Sequence, residues 1–143
     1  MSKISLVNIL IGFVVVVLAS LGGFFLGVET KAALSEESVD LLKWKMVMYR
    51  SAHAHSNLFG MLHILMGITM PYSRWGAKIK KIQTWALTSG TLSMGVLMVF
   101  RARIDMNSRG EEFLGFIMGA GLLFALLGLS LHCLGLTYKL IRY

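Results

Sequence analysis

Apolar residues along this chain gather into four long stretches with short polar segments between them. The first runs from Ile4 to Val28, the second from Trp44 to Met70, the third from Ile82 to Phe100, and the fourth from Phe113 to about Tyr138. Each has roughly the 20 residues that a helix needs to cross ~30 Å of hydrocarbon. A helix also satisfies its own backbone polar groups within the segment, which lipid demands. The pattern therefore predicts an all-α, integral membrane protein with four transmembrane helices. It forms one domain over residues 1–143, with spans at 4–28, 44–70, 82–100 and 113–138. The first stretch follows Lys3 like the start of a signal peptide, but it exceeds the ~7–15 apolar residues of a signal core. It is read as a span. Ser35 followed by Glu36 and Glu37 resembles a helix start, so a short interfacial helix is expected to run into the second span.

Composition agrees with this class. Of the 143 residues 56% are hydrophobic and only 15% charged, with a mean hydropathy of +0.71. Charge then sets an orientation. The 71–81 connection carries Arg74, Lys78, Lys80 and Lys81 and no acid, while the other two connections hold all seven acidic residues. Positive residues stay on the cytoplasmic side, so this connection and both termini, with Lys3, Lys139 and Arg142, are expected there. The net charge of +7 is thereby explained by topology, and no nucleic-acid partner is inferred; the partner is the lipid bilayer. Cys133 is the single cysteine and no CxxCH occurs. That excludes an intramolecular disulfide, covalent haem attachment and a cysteine-built zinc or iron–sulfur site.

The second stretch is the most polar of the four and carries the chemistry, with Arg50, His53, His55, Asn57 and His63. Ionisable residues deep in a span cost several kcal/mol and mark functional positions. At ~100° per residue, His53 and His55 point about 200° apart, so they cannot chelate one ion and instead serve two sites, one on each face. Ser51, Ala52, Ala54 and Ser56 leave room beside the rings, and Asn57 and Gly60 continue the His53 face as a narrow, flat strip. A porphyrin needs such clearance beside an axial imidazole. Arg50, one turn away, suits a bidentate contact with propionates. The competing accounts are a hydrogen-bonded histidine pair between helices and an arginine that only snorkels. His63 and His132 stand at similar depth, ~15 Å from the His53 level. They are expected to hydrogen-bond or pack rather than to ligate. The five methionines of this stretch are expected to fill apolar gaps rather than to handle copper. Gly23 with Gly27, and Gly115 with Gly119, have GxxxG spacing, which suits packing within the chain or between subunits.

The segment from Arg50 to Gly60, RSAHAHSNLFG, resembles the haem-ligating helices of haem-copper oxidase catalytic subunits and their nitric oxide reductase relatives. In that family an HxH on one helix ligates two haems, one on each face. Another helix, with an Arg before and an Asn after its His, supplies the opposing ligand. The family subunit has three four-helix arcs about a pseudo-threefold axis. The resemblance thus implies that this chain is one four-helix arc of a homotrimeric ring, each haem lying between His53 of one protomer and His55 of the next. The chain departs from the family in lacking a His-Pro-Glu or His-His motif and a further histidine set for copper.

Together these expectations describe a haem b protein with non-covalent, bis-histidine ligation, acting in electron transfer in a bacterial cytoplasmic membrane. His53 and His55 are the metal ligands, with His63 and His132 as weaker candidates. Arg50, Asn57 and Gly60 contact the cofactor. One rival is a haem enzyme with an open axial position that binds or reduces oxygen or nitric oxide. Another is a copper-handling or accessory membrane subunit without haem. No cluster identifies a redox partner or a quinone.

Overall fold

A computed structural model describes the backbone of residues 1–33, 39–104 and 108–142, and the side chains of 1–24, 43–104 and 108–142. The described residues form helical rods and no strand. Helix α1 spans Lys3–Ala33 and α2 spans Val39–Thr69, closed by a 3-10 turn at Met70–Tyr72. Helix α3 (Ala77–Thr91) passes through a π-helical turn at Leu92–Leu97 into α4 (Met98–Arg101), so that the three make one unbroken rod. Helix α5 spans Arg109–Ile141. Two of these, Lys3–Phe24 and Arg109–Ile141, are long and apolar enough to cross a membrane.

The rods begin earlier than the apolar runs do. Gly76 is the extended residue that opens α3, which places Lys78, Lys80 and Lys81 in its first turns rather than in a loop. Lysine is a good helix former, and its stem can lie along the rod while the charge stays at the end. Likewise α5 starts at Arg109, four residues before Phe113. The Ser108 hydroxyl accepts the Glu111 N–H at 3.2 Å, and Glu111 and Glu112 occupy the first turn, where the helix dipole favours acids. The acidic segment is thus helix start as much as connection. Helix α2 runs unbroken from Val39 into the second apolar stretch, as expected. Ser35, Glu36 and Glu37 lie outside the described residues.

Helix α1 packs along α2, and α3 along α5; α2 joins the pairs by packing on α3, the π turn and α4. Close approach depends on residues with little or no side chain. A Cβ built on Gly60 would stand 2.7 Å from Val16 Cγ2 and 3.1 Å from the Gly12 carbonyl oxygen. Across the centre, a Cβ on Gly90 would meet Ala125 Cβ at 2.5 Å and Phe59 Cε1 at 2.6 Å. Phe59, Met66, Met70, Leu87 and Ala125 form the buried core of this region.

Both termini share one end with the 70–76 connection. There Asn8 Nδ2 of α1 donates to Thr84 Oγ1 of α3 at 2.8 Å. Trp75 Nε1 donates to the Leu131 carbonyl of α5 at 2.7 Å. The Arg74 guanidinium lies 3.4 Å from the Tyr138 ring centroid. This basic end is tied across three helices. At the far end Arg101 forms an ion pair with Glu111, and a cleft separates α1 from the π turn and α4.

Candidate functional site

The cleft has a volume of about 580 Å³, inside the ~300–1,000 Å³ range of cofactor and ligand sites. Leu18 and Gly22 of α1 form one wall, and Val96 and Phe100 form the other. Its floor is the Tyr49, Ala52, His53 and Ser56 side of α2. The lining is mostly apolar, and Arg103 contributes a cation near the far end. The π turn helps to shape this wall. A Cβ on Gly95 would come within 2.6 Å of Ser56 Oγ, so glycine lets α2 sit directly against the widened turn. Single π turns of this kind recur at functional sites.

His53 is held from α1. Its Nδ1 lies 2.9 Å from the Ala19 carbonyl oxygen. A carbonyl can only accept, so Nδ1 carries the hydrogen and Nε2 keeps its lone pair. A Cβ on Gly23 would stand 2.6 Å from His53 Cε1, so the first glycine of the Gly23/Gly27 pair makes room for this ring. The side chain of Gly27's neighbourhood lies outside the described residues. Asn57 Nδ2 approaches Nε2 at 3.3 Å and the His53 carbonyl oxygen at 3.2 Å, capping the lone pair from within α2.

His55 is fixed in the same tautomer by other means. Its Nδ1 donates to the Ser51 carbonyl at 2.7 Å, one turn back on α2, leaving a lone pair on Nε2 of a half-exposed ring. The two histidines therefore present unprotonated nitrogens from opposite faces of one helix. This is the pattern of metal-binding imidazoles, whose second nitrogen donates to a backbone carbonyl or carboxylate.

Three expected contacts fall elsewhere. The strip through Asn57 and Gly60 is covered by α1: Val16 and Gly12 occupy the clearance beside Gly60, and neither residue lines the cleft. Space for a flat group lies instead over Ala52 and Ser56. Arg50 is exposed on α2 and does not line the cleft; Arg103 does. Sequence reasoning passed over Arg103 because it lies beyond the third apolar run, where a cation reads as an ordinary helix end. Its only signal was proximity to the polar end of that run.

His63 and His132 do not bond to each other. His63 Nδ1 pairs with Asn8 Oδ1 at 2.9 Å, and His132 Nε2 pairs with Thr69 Oγ1 at 2.8 Å. The expected histidine–histidine pair is therefore not formed; each ring bonds instead to a polar side chain of another helix. Gly115 faces the Arg101 guanidinium and Gly119 faces open space, so this second glycine pair is not a tight contact within the chain. Among the described residues no three His, Cys, Asp or Glu side chains are grouped to hold a metal ion.

No family model, curated protein or solved structure matches this chain.

Proposed function

We propose that this chain is an integral membrane haem b protein whose four rods all span the bilayer, basic end in the cytoplasm, and that it transfers electrons. The observation that carries the proposal is the paired tautomer lock of His53 and His55. Each ring spends its Nδ1 hydrogen on a backbone carbonyl and has an unprotonated Nε2 that could ligate iron, with Asn57 Nδ2 giving way at His53. The residues around His53 fit the group: an apolar cleft, small residues Ala52 and Ser56 on its floor, and Arg103 as a partner for a propionate. Bound haem b supplies one-electron redox chemistry, and axial histidines on both sides keep it low-spin. The chain's own contribution is to orient the imidazole, exclude water and set the polarity around the ring.

Membrane insertion is supported by the outward faces. Leu10, Phe13, Val17 and Leu21 of α1, and Phe116, Leu123 and Leu127 of α5, are all exposed. Water does not tolerate apolar faces of this length. The cleft supplies a single imidazole, so a second axial histidine comes from His55 of a neighbouring protomer. A homotrimeric ring meets that need with every His53 and His55 used.

An optical spectrum of the purified protein after haem-replete expression tests the proposal. A low-spin haem b spectrum, lost in His53→Ala and altered in His55→Ala, is the expected result. A colourless wild-type protein refutes it. The single imidazole of the cleft also favours a second reading, in which the sixth position stays open to a gas. Carbon monoxide separates the two: a shifted spectrum of the reduced wild type supports gas binding, and an unshifted one supports electron transfer.

A further inference from the structure

The basic end of the bundle is built from residues 1–10, 70–84 and 131–142. These segments hold seven lysines and arginines and no acidic residue. The acids whose side chains are described, Glu111 and Glu112, stand in the first turn of α5. That is ~40 Å along the helix from Tyr138, several times the ~8–10 Å over which exposed charges act in salt. The charge of this end therefore suits an anion from outside the chain.

Two arginines meet there on one aromatic ring. Arg74 Cζ lies 3.4 Å from the Tyr138 ring centroid and Arg142 Cζ 4.6 Å from it. The two guanidinium carbons are thus at most about 8 Å apart, the sum of those distances. At its distance the Arg74 guanidinium lies flat on the ring, with its N–H donors directed outward from the rim. Backbone and indole contacts fix this placement. The Arg74 N–H donates to the Gly135 carbonyl at 3.3 Å, and Trp75 Nε1 donates to the Leu131 carbonyl at 2.7 Å. A Cβ on Gly135 would run into the Trp75 indole, so glycine lets the 73–75 turn seat on α5 one turn before Tyr138. A phosphate accepting at ~2.7–2.9 Å from each guanidinium bridges a gap of this size.

The surface beside the two arginines is apolar. Leu127, Leu134, Tyr138 and Ile141 fall at i, i+7, i+11 and i+14, on one face of α5. Leu127, Leu134 and Ile141 are 59%, 62% and 78% exposed. A free anion or an acidic protein surface matches the arginines but not this stripe; a lipid matches both, phosphate at the end of the rod and acyl chain along it. We propose that Arg74 and Arg142, with the Tyr138 ring, hold the phosphodiester of an anionic phospholipid whose acyl chain lies along Leu134 and Leu127. The net negative headgroup follows from the unbalanced cations around the pair. The proposal rests on the membrane reading given above and not on haem binding in the cleft.

The test titrates the full-length, delipidated protein in detergent with phosphatidylglycerol and, separately, phosphatidylcholine, reading bound lipid by native mass measurement. One phosphatidylglycerol per chain is expected to bind at least ~10-fold more tightly than phosphatidylcholine. A variant carrying both Arg74→Gln and Arg142→Gln should lose that preference, weakening phosphatidylglycerol by about 10-fold or more. Arg109→Gln, at the other end of α5, should bind as the wild type does. The proposal is overturned if the two lipids bind equally, or if the double variant keeps the wild-type preference. It is also overturned if millimolar inorganic phosphate displaces the lipid, which makes a free phosphate the ligand. Recovery of the expressed protein in the soluble fraction instead of the membrane fraction refutes the membrane reading, and the lipid site with it. Membrane-bound protein without lipid preference refutes the lipid site alone.

Discussion

The smallest decisive unit is the hydrogen on a histidine. In His53 the Ala19 carbonyl claims the Nδ1 hydrogen, and this leaves Nε2 unprotonated through a backbone contact alone. Gly23 is the second half of that device, because only a residue without Cβ leaves room for the ring. Gly23→Ala should therefore push the imidazole off the Ala19 carbonyl while α1 remains helical. Haem affinity should fall by ~10- to 100-fold, the usual cost of losing an outer hydrogen bond to a metal-binding histidine, as read by a haem titration against apoprotein. Asn57→Leu removes the donor at 3.3 Å from Nε2. It should leave haem content intact or raised, checked by the ratio of haem absorbance to protein, because in the proposed site Asn57 would compete with iron for one lone pair. A fall to zero would mean that Asn57 holds the cofactor itself. The need for an oriented imidazole was legible from HAH on one helix. Its keepers were not, since Ala19 acts through a backbone oxygen that every residue possesses.

At the scale of elements, association rests on close packing between residues with little or no side chain. The α1–α2 crossing at Gly12 and Gly60 and the open position at Gly119 make a direct comparison. Gly60→Val would press on the Gly12 backbone, which cannot yield as a side chain can, and should destabilise the protein by about 1–3 kcal/mol. Gly119→Ala meets nothing and should stabilise by up to roughly 1 kcal/mol through helix propensity alone. Thermal unfolding of both variants in one detergent, followed by circular dichroism, measures the contrast. The π turn at Leu92–Leu97 shows where an element escaped the sequence. Its residues, LSMGVL, look like any apolar helix; the extra residue in the turn is visible only once Ser56 is found seated against Gly95. Without that turn the cleft wall would follow a different line, so the location of the candidate site was hidden along with it.

For the whole molecule, the basic end brings together both termini and the 70–76 connection, with Asn8, Trp75 and Arg74 tying α1, α3 and α5 there. In a Cys133→Ala background, a cysteine placed at the exposed Gly76 should react with an impermeant maleimide only after cells are opened, and one at Arg109 should react in intact cells. Reversed labelling would invert the proposed orientation. Native mass measurement of the detergent-extracted protein is expected to give a trimer that carries haem. A haem-loaded monomer would remove the role of His55 as a partner's ligand.

The sequence by itself determined four helical rods, their approximate centres and the opposed histidines of α2. Apolar runs and a ~100° turn per residue are local properties that need no neighbour. Only the tertiary structure decided which face of α2 is available. The strip through Asn57 and Gly60 is taken by α1, and the open cleft lies roughly 90° around the helix, over Ala52 and Ser56. A sequence records how much room a residue leaves, but what fills that room depends on helices far away along the chain. The same reason explains why Arg103 replaced Arg50 at the cleft, and why His63 pairs with Asn8 and His132 with Thr69.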